Sequence, residues 1–284
     1  MKRMEGAASA ELRAKEAHLR QVLAGLGGAV VAFSGGVDST LLLSESVEVL
    51  GDRVLAVTAS SATYFPEEIA QAKRLAELIG ARIEVIETDE LENEDFVANP
   101  SNRCYYCKGE LFGRLAEIAR RERLEAVIDG TNADDLGDHR PGRQAARELG
   151  VRSPLLEAGL TKADIRALSR ARGLPNWDKP ALACLASRFP YGTRITRPEL
   201  ERIAAAERYL RGLGFNQLRV RHHGEIARIE VPPVDLGRLL GVRENVVARL
   251  KELGFLYVTM DLQGYRSGSL NEALRDHHSE TAWG

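Results

Sequence analysis

Through the first half of the chain, short runs of β-branched residues alternate with longer stretches of helical spacing, and that alternation admits few folds. Strands are expected at residues 29–33, 54–58, 82–87, 126–129 and 151–156. Helices are expected to start near Asp38, Pro66, Lys108, His139 and Thr161. The second of these places Ile69, Ala72, Leu75, Ala76 and Ile79 at spacings of three and four, one apolar face of a helix. Strands joined in this way form a doubly wound α/β domain around a parallel sheet. Such sheets bind ligands in the crevice at the carboxyl ends of their strands, so the chemistry is expected in the segments that follow each strand.

The pattern breaks over residues 177–196, a stretch rich in Pro, Gly and polar side chains, and long loops in compact domains usually carry function. Thr196 and Glu199 then have the spacing of a capping box, opening a helix through Leu200, Ile203 and Tyr209 that stops near Gly212 and Gly214. A strand at 217–221, a turn at Gly224, a strand at 226–231, a helix at 234–253 and a strand at 255–262 follow, in the order α-β-β-α-β. The expected division is an α/β domain at 1–195, a smaller α+β domain at 196–270 and a polar, mobile tail at 271–284.

The expected first strand runs without a gap into Ser34-Gly35-Gly36-Val37-Asp38-Ser39 and then into the helix-compatible Thr40-Leu41-Leu42-Leu43. At such a junction the unpaired amides of a helix start converge, and small residues let backbone approach an anion, which makes a phosphate cradle. An ordinary strand-to-helix turn also uses glycines, with Ser or Asp as a cap. The hexapeptide is neither a Walker loop nor a Rossmann fingerprint. It resembles the S-G-G-x-D-S signature of the PP-loop ATP pyrophosphatases, which hold ATP by its β- and γ-phosphates and release them as pyrophosphate. That resemblance implies ATP contacts at Ser34, Gly35, Gly36, Asp38 and Ser39. It adds Thr58 after the second strand, and Gly130, Thr131 and Asn132 after the fourth. Asp134 and Asp135 in the same loop read equally well as magnesium ligands or as a solvated acidic turn.

Three cysteines are an odd number in a chain whose N-terminal stretch lacks the apolar core of a signal peptide, so a disulfide framework explains them poorly. Cys104 and Cys107 form a C-x-x-C motif, able to grip a soft metal or one face of an iron–sulfur cluster, or to cycle as a redox disulfide. Cys184 lies in the long loop. A zinc site would need a fourth ligand from His139, His222 or His223, and unrelated buried thiols are the plainer alternative.

The run Lys179-Pro180-Ala181-Leu182-Ala183-Cys184-Leu185-Ala186-Ser187-Arg188-Phe189-Pro190-Tyr191-Gly192 resembles the signature of the LarE family of ATP-dependent sulfur transferases. Arg219-Val220-Arg221-His222-His223-Gly224 and Ala227-Arg228-Ile229-Glu230-Val231 resemble that family's C-terminal pattern. The resemblance implies magnesium-dependent synthesis of the nickel-pincer nucleotide cofactor of lactate racemase. A carboxylate of pyridinium-3,5-biscarboxylic acid mononucleotide would be adenylylated and then converted to a thiocarboxylic acid. Two sulfur sources occur in the family. One sacrifices the cysteine at the position of Cys184, leaving dehydroalanine. The other uses a 4Fe-4S cluster on three cysteines, with sulfide on the unligated iron. The presence of Cys104, Cys107 and Cys184 together implies the cluster, fed by sulfide or a sulfur donor.

Alternation puts Arg219 and Arg221 on one face of their strand and Arg228 and Glu230 on the facing side of the next. This is either an anion-binding face or a solvated sheet surface. The family pattern implies the former: Arg219 and Arg221 would take the phosphate of a small acidic nucleotide, Ser187 and Arg188 would approach it, and Glu207 with Glu230 would hold magnesium. The 39 basic and 41 acidic residues, a net charge of -2, provide no chain-wide field for nucleic acid, which disfavours a PP-loop tRNA thiolase. No apolar run is long enough to cross a bilayer. A cytoplasmic homo-oligomer is expected.

Overall fold

The computed structural model describes residues 2–137, 141–180, 183–266 and 268–272. The chain forms two compact units, one of Met1–Phe96 with Asn102–Leu182, the other of Val97–Ser101 with Ala183–Gly284. The boundary therefore falls inside the loop at 177–196, just ahead of Cys184, where the expected division lay at 195/196.

The first unit holds α1 (Lys2–Ala24), β1 (Ala29–Ala32), α2 (Val37–Leu50), β2 (Val54–Ser60), α3 (Pro66–Ile79), β3 (Arg82–Glu87) and α4 (Glu94–Val97), whose last residue belongs to the second unit. It continues with α5 (Arg103–Glu122), β4 (Ala126–Ile128), α6 (Pro141–Glu148), α7 (Pro154–Glu157) and α8 (Lys162–Ala171). Its sheet is parallel with strand order β3-β2-β1-β4. The two faces of β1 are both buried, as the near-continuous apolar run requires. Ala29 and Val31 join Leu19 and Leu23 of α1, Leu41 and Leu42 of α2, Leu75 of α3 and Ile165 of α8. Val30 joins Leu111, Phe112 and Leu115 of α5 and Ala146 of α6. This is the expected doubly wound sheet. Strand order reverses between β1 and β4, so the switch-point crevice lies between the two loops singled out for phosphate binding.

Four local differences from expectation have physical causes. The fifth strand reduces to one parallel bridge, Ile128 to Arg152, because Pro154 at the first helical position turns the chain into α7. Helix α5 begins at Arg103 rather than near Lys108, which puts both cysteines of the C-x-x-C motif inside its first turns. Helix α6 begins at Pro141, with His139 outside the described residues. Helix α1, which the sequence reading did not identify, packs Leu19 and Leu23 into the core. Glu45 of α2 is fully buried between Arg20 of α1 and Arg172 beyond α8. Burial pushes its carboxyl up to about 7 against the pull of those two arginines.

The second unit carries α9 (Arg197–Gly212), β5 (Arg219–His223), β6 (Ile226–Glu230), α10 (Leu236–Gly241), α11 (Arg243–Glu252) and β7 (Tyr257–Met260). Its sheet has the order β5-β6-β7, with β5 and β6 antiparallel and β6 and β7 parallel. The single helix expected at 234–253 breaks at Val242 into α10 and α11. Thr196 caps α9 differently from a full box: its hydroxyl donates to Glu199 at 2.7 Å instead of accepting from backbone. Of the tail, Asn271 and Glu272 are described and residues 273–284 lie outside the described residues. Among the described residues no helix is long and apolar enough to cross a membrane.

Candidate functional site

In the first unit the site grows from the end of β1. The Thr58 hydroxyl donates to the Phe33 carbonyl at 2.8 Å, tying the exit of β1 to β2, so its side chain serves the frame of the loop. The Ser34 and Ser39 hydroxyls lie 3.2 Å apart, Ser39 donates to the Gly36 carbonyl, and the Gly36 amide donates to Ser34. These contacts curl the hexapeptide over the start of α2, whose first amides have no acceptor within the helix.

The loop after β4 closes against this cradle. A Cβ on Gly130 would lie 3.0 Å from the Ser39 amide nitrogen and 3.2 Å from Asp38 Cβ, so a side chain here fits only if these neighbours give way by a few tenths of an ångström. Asn132 donates to Asp38 at 3.3 Å. Thr131 turns onto Asp129, which also accepts from Ser153. Asp134 accepts from the Lys162 amide at 2.8 Å and Asp135 from the Asn132 amide at 3.0 Å. Both carboxylates thus serve as local caps rather than as a presented metal pair.

Sequence reasoning missed the cations here. Lys162 pairs through its ammonium with Asp38. Lys179 reaches the Gly35 carbonyl (3.4 Å) and Gln71 (2.8 Å), and Asn176 donates to Gly35 and Thr40. Burial lowers the Lys179 ammonium below its ordinary value, partly countered by Glu68. The signal available in sequence was position alone: Lys162 opens α8, and Lys179 ends the segment before the cysteine loop. Replacing Gly130 with valine is expected to press a side chain onto the Ser39 amide and raise the KM for ATP by at least about tenfold, the loss of one charge-assisted hydrogen bond. Steady-state kinetics with a varied ATP concentration measures it, and an unchanged KM would remove Gly130 from the site.

None of Cys104, Cys107 and Cys184 forms a disulfide. Cys104 is exposed in the first turn of α5, where the helix dipole favours anionic groups. Cys107 donates to the buried Glu90 carboxylate at a sulfur–oxygen distance of 3.7 Å. Among the described residues no three His, Cys, Asp or Glu side chains are grouped to hold a metal ion.

In the second unit Cys184 precedes a short 3-10 turn, Leu185–Arg188, that packs against α9 and β5 through Leu185 and Ala186. Arg188 is fully buried. Its guanidinium donates to the carbonyls of Ala183 (2.6 Å) and Cys184 (2.9 Å) and to Ser187 Oγ, while its other edge grips Glu207 at 2.8 and 2.9 Å. Expected as a substrate contact, Arg188 instead fixes the backbone at Cys184. Asn99 holds the far side of the loop. At a left-handed φ of 55°, it donates to the Pro190 carbonyl at 2.7 Å and accepts from Gly192.

Arg219, Arg221 and Glu230 of the hairpin are buried, while Arg228 is partly exposed. Arg219 faces Glu230 and Arg221 faces Arg228 across the hairpin, yet Arg219 and Arg221 are only 5% and 7% exposed. Arg221 grips Glu230 at 2.9 and 2.8 Å and donates to the Ser187 carbonyl. Among the described residues Glu207 pairs with Arg188 and Arg211, Glu230 with Arg221 and Arg228, and Asp261 with Arg228. Burial and the neighbouring Arg188 hold the Arg219 guanidinium below its ordinary basicity, with Glu207 pulling the other way. Burial opposes ionisation of Glu207, but Arg188, Arg211 and the Val220 amide outweigh it and keep its carboxyl below the ordinary range. Glu207 and Glu230 were expected to bind magnesium. Their oxygens are instead taken by guanidinium groups, a donor set that does not fit a divalent cation.

A glycine-bearing loop between β1 and α2, closed by the loop after β4 at the switch point of a parallel sheet, defines a PP-loop nucleotide-binding domain. The family model for NAD synthase matches residues 11–103, from α1 into the first residue of α5. An uncharacterised protein of Synechocystis sp. is 48% identical over 272 residues, 93% of this chain and 99% of its own. The pyridinium-3,5-bisthiocarboxylic acid mononucleotide synthase of Lactiplantibacillus plantarum is 44% identical over 266 residues, 93% of this chain and 96% of its own. An uncharacterised protein of Methanocaldococcus jannaschii is 32% identical over 242 residues, 84% and 90% of the two chains. The chain belongs to the LarE family.

Proposed function

We propose that the protein is an ATP-dependent sulfur transferase acting on pyridinium-3,5-biscarboxylic acid mononucleotide in nickel-pincer cofactor synthesis. The substrate carboxylate attacks the α-phosphorus of ATP, the α–β bond breaks and pyrophosphate leaves, held by the cradle from Ser34 to Ser39 with Lys162 and Lys179 alongside. A sulfur nucleophile then attacks the acyl carbon of the adenylate, the bond to AMP breaks, and a thiocarboxylic acid remains. Arg219 and Arg221 receive the substrate phosphate. The observation that carries the reading is the pinning of Cys184: a fully buried arginine spends its donors on the carbonyls of Ala183 and Cys184 inside a network of arginines and glutamates. A thiol set rigidly beside an anion-binding face is what sulfur delivery to an acidic nucleotide requires.

For the sulfur source, three cysteine thiolates are the ligand type that a 4Fe-4S cluster takes. None is in a disulfide, and Cys104 and Cys107 lie one helical turn apart. They would hold three irons of a 4Fe-4S cluster, whose fourth iron supplies an open position for sulfide. Protein purified without oxygen is expected to contain about four irons per chain, lost on Cys104→Ala. It is also expected to release pyrophosphate only when the mononucleotide is present. Release without that substrate, or with no thiocarboxylate formed, overturns the reading. Iron-free active protein whose Cys184 has lost one hydrogen sulfide in intact mass moves the sulfur source to the cysteine itself.

A further inference from the structure

Asn176 lies beyond α8 and is only 4% exposed, and one side of its amide alone is used. Its nitrogen donates to the Gly35 carbonyl at 3.1 Å and to the Thr40 hydroxyl at 3.0 Å, which ties the phosphate loop to the first turn of α2. A carbonyl can only accept, so the atom facing Gly35 is the nitrogen. The Asn176 oxygen is buried and has no hydrogen-bond partner among the described residues. Burying a polar atom without a partner costs stability, so an apolar side chain of the same shape would suit the fold better. What explains an asparagine here is the group its nitrogen holds.

That group is the peptide between Gly35 and Gly36. Lys179 shares the same carbonyl from 3.4 Å while donating to Gln71 at 2.8 Å. In a trans peptide the C=O and N–H point in opposite directions, so a carbonyl held toward Asn176 turns the Gly36 amide to the other side. That side is the cradle: the Gly36 amide donates to the Ser34 hydroxyl, which lies 3.2 Å from the hydroxyl of Ser39. A peptide flanked by two glycines turns over easily, because no Cβ on either side resists the change of dihedral angles. Turned over, it would offer the Gly35 carbonyl to a phosphate in place of an N–H, exchanging attraction for repulsion. A side chain at position 35 cannot supply the restraint. Gly35 has a left-handed φ of 66°, and a Cβ there would stand 3.2 Å from Ala72 Cα of α3. The restraint comes from outside the loop, through Asn176 with Lys179 beside it.

We propose that Asn176 is a positioning residue of the ATP site, locking the peptide between Gly35 and Gly36 so that the Gly36 amide faces the phosphates. The inference rests on the loop from Ser34 to Ser39 being the holder of those phosphates. Asn176→Leu keeps the volume and removes the donor and the unpartnered oxygen together. It is expected to raise the KM for ATP about tenfold, the loss of one charge-assisted hydrogen bond, with the KM for the mononucleotide within about twofold of wild type. Its melting temperature without ATP should equal or exceed that of wild type, since a buried unpartnered atom has gone. Asn176→Asp keeps the shape but sets an oxygen against the Gly35 carbonyl, and should raise the KM for ATP at least as much. A purely structural asparagine would instead lower the melting temperature and move both Michaelis constants together. Equal rises in the two constants, or a wild-type KM for ATP, overturn the proposal, and Asn176→Asp decides it by the same two constants if the leucine variant does not fold. The reading of the loop fails separately, on wild-type protein, if neither ATP nor pyrophosphate raises the melting temperature.

Discussion

Cys184→Ala is expected to abolish thiocarboxylate formation, a loss of at least about a thousandfold, while leaving ATP binding at its wild-type strength. On the proposed function both sulfur routes would pass through this thiol, either as a cluster ligand or as the donor, so its removal would leave the adenylate with water as its only nucleophile. ATP binding is a property of the first unit, where the phosphate loop is framed by Thr58, Asn132, Asn176 and Lys179. The cysteine sits in the second, beyond Leu182. Product is measured by mass spectrometry and ATP binding by thermal shift. Sulfur transfer by Cys184→Ala at the wild-type rate would remove the cysteine from the chemistry, and Cys104→Ala tells the two routes apart, since only the cluster needs it.

The largest effect on stability is expected at Glu207. Replacing it with alanine strands the fully buried Arg188 guanidinium, and a buried charge deprived of its partner costs about 3–5 kcal/mol. Arg228→Ala, by contrast, removes a guanidinium that is 40% exposed and should cost under about 1 kcal/mol. Urea unfolding of the two variants side by side gives the comparison, and equal losses would mean that the Arg188–Glu207 pair is not the strut of this unit. The pH dependence has a definite sign. The Glu207 carboxyl is held below its ordinary value in the folded protein, so the pair stabilises fully above the unfolded carboxyl range and is lost as pH falls through the lower folded value. Glu207→Gln should lack that acid-side loss. Because Arg188 also holds the carbonyls of Ala183 and Cys184, the same variant should make Cys184 react faster with thiol reagents under native conditions.

The elements were legible wherever a local pattern decides them. The parallel strands, the phosphate loop and α9 with the β5–β6 hairpin follow from periodicity and turn residues, and each lies within a few residues of its expected place. Helix starts were less legible. Cys104 and Cys107 carry no signal of helix entry, so α5 was expected to begin beyond them, and Pro154 ended a run that hydrophobicity alone extends as a strand. The site was legible in residue types and not in roles. Arg188 and Glu207 both drew attention, one as a substrate contact and the other as a metal ligand. A glutamate in mid-helix is ordinarily solvated. Glu207 is buried because Ile203, Ala206 and Leu210 beside it face the core and carry it inward, and burial compels a charge partner.

The sequence by itself determined the phosphate cradle, because a strand, paired small residues and a helix start are contiguous, and their backbone amides converge whatever else the chain does. It also determined that arginines and a glutamate share one face of a hairpin, because side-chain alternation is a property of the strand. Only the tertiary structure decided what those groups do. Burial of Arg219 and Arg221, and the spending of Arg188 on the Cys184 backbone, depend on residues far apart in the chain. The worth of a charge depends on which partners and how much water surround it, and no local pattern encodes either.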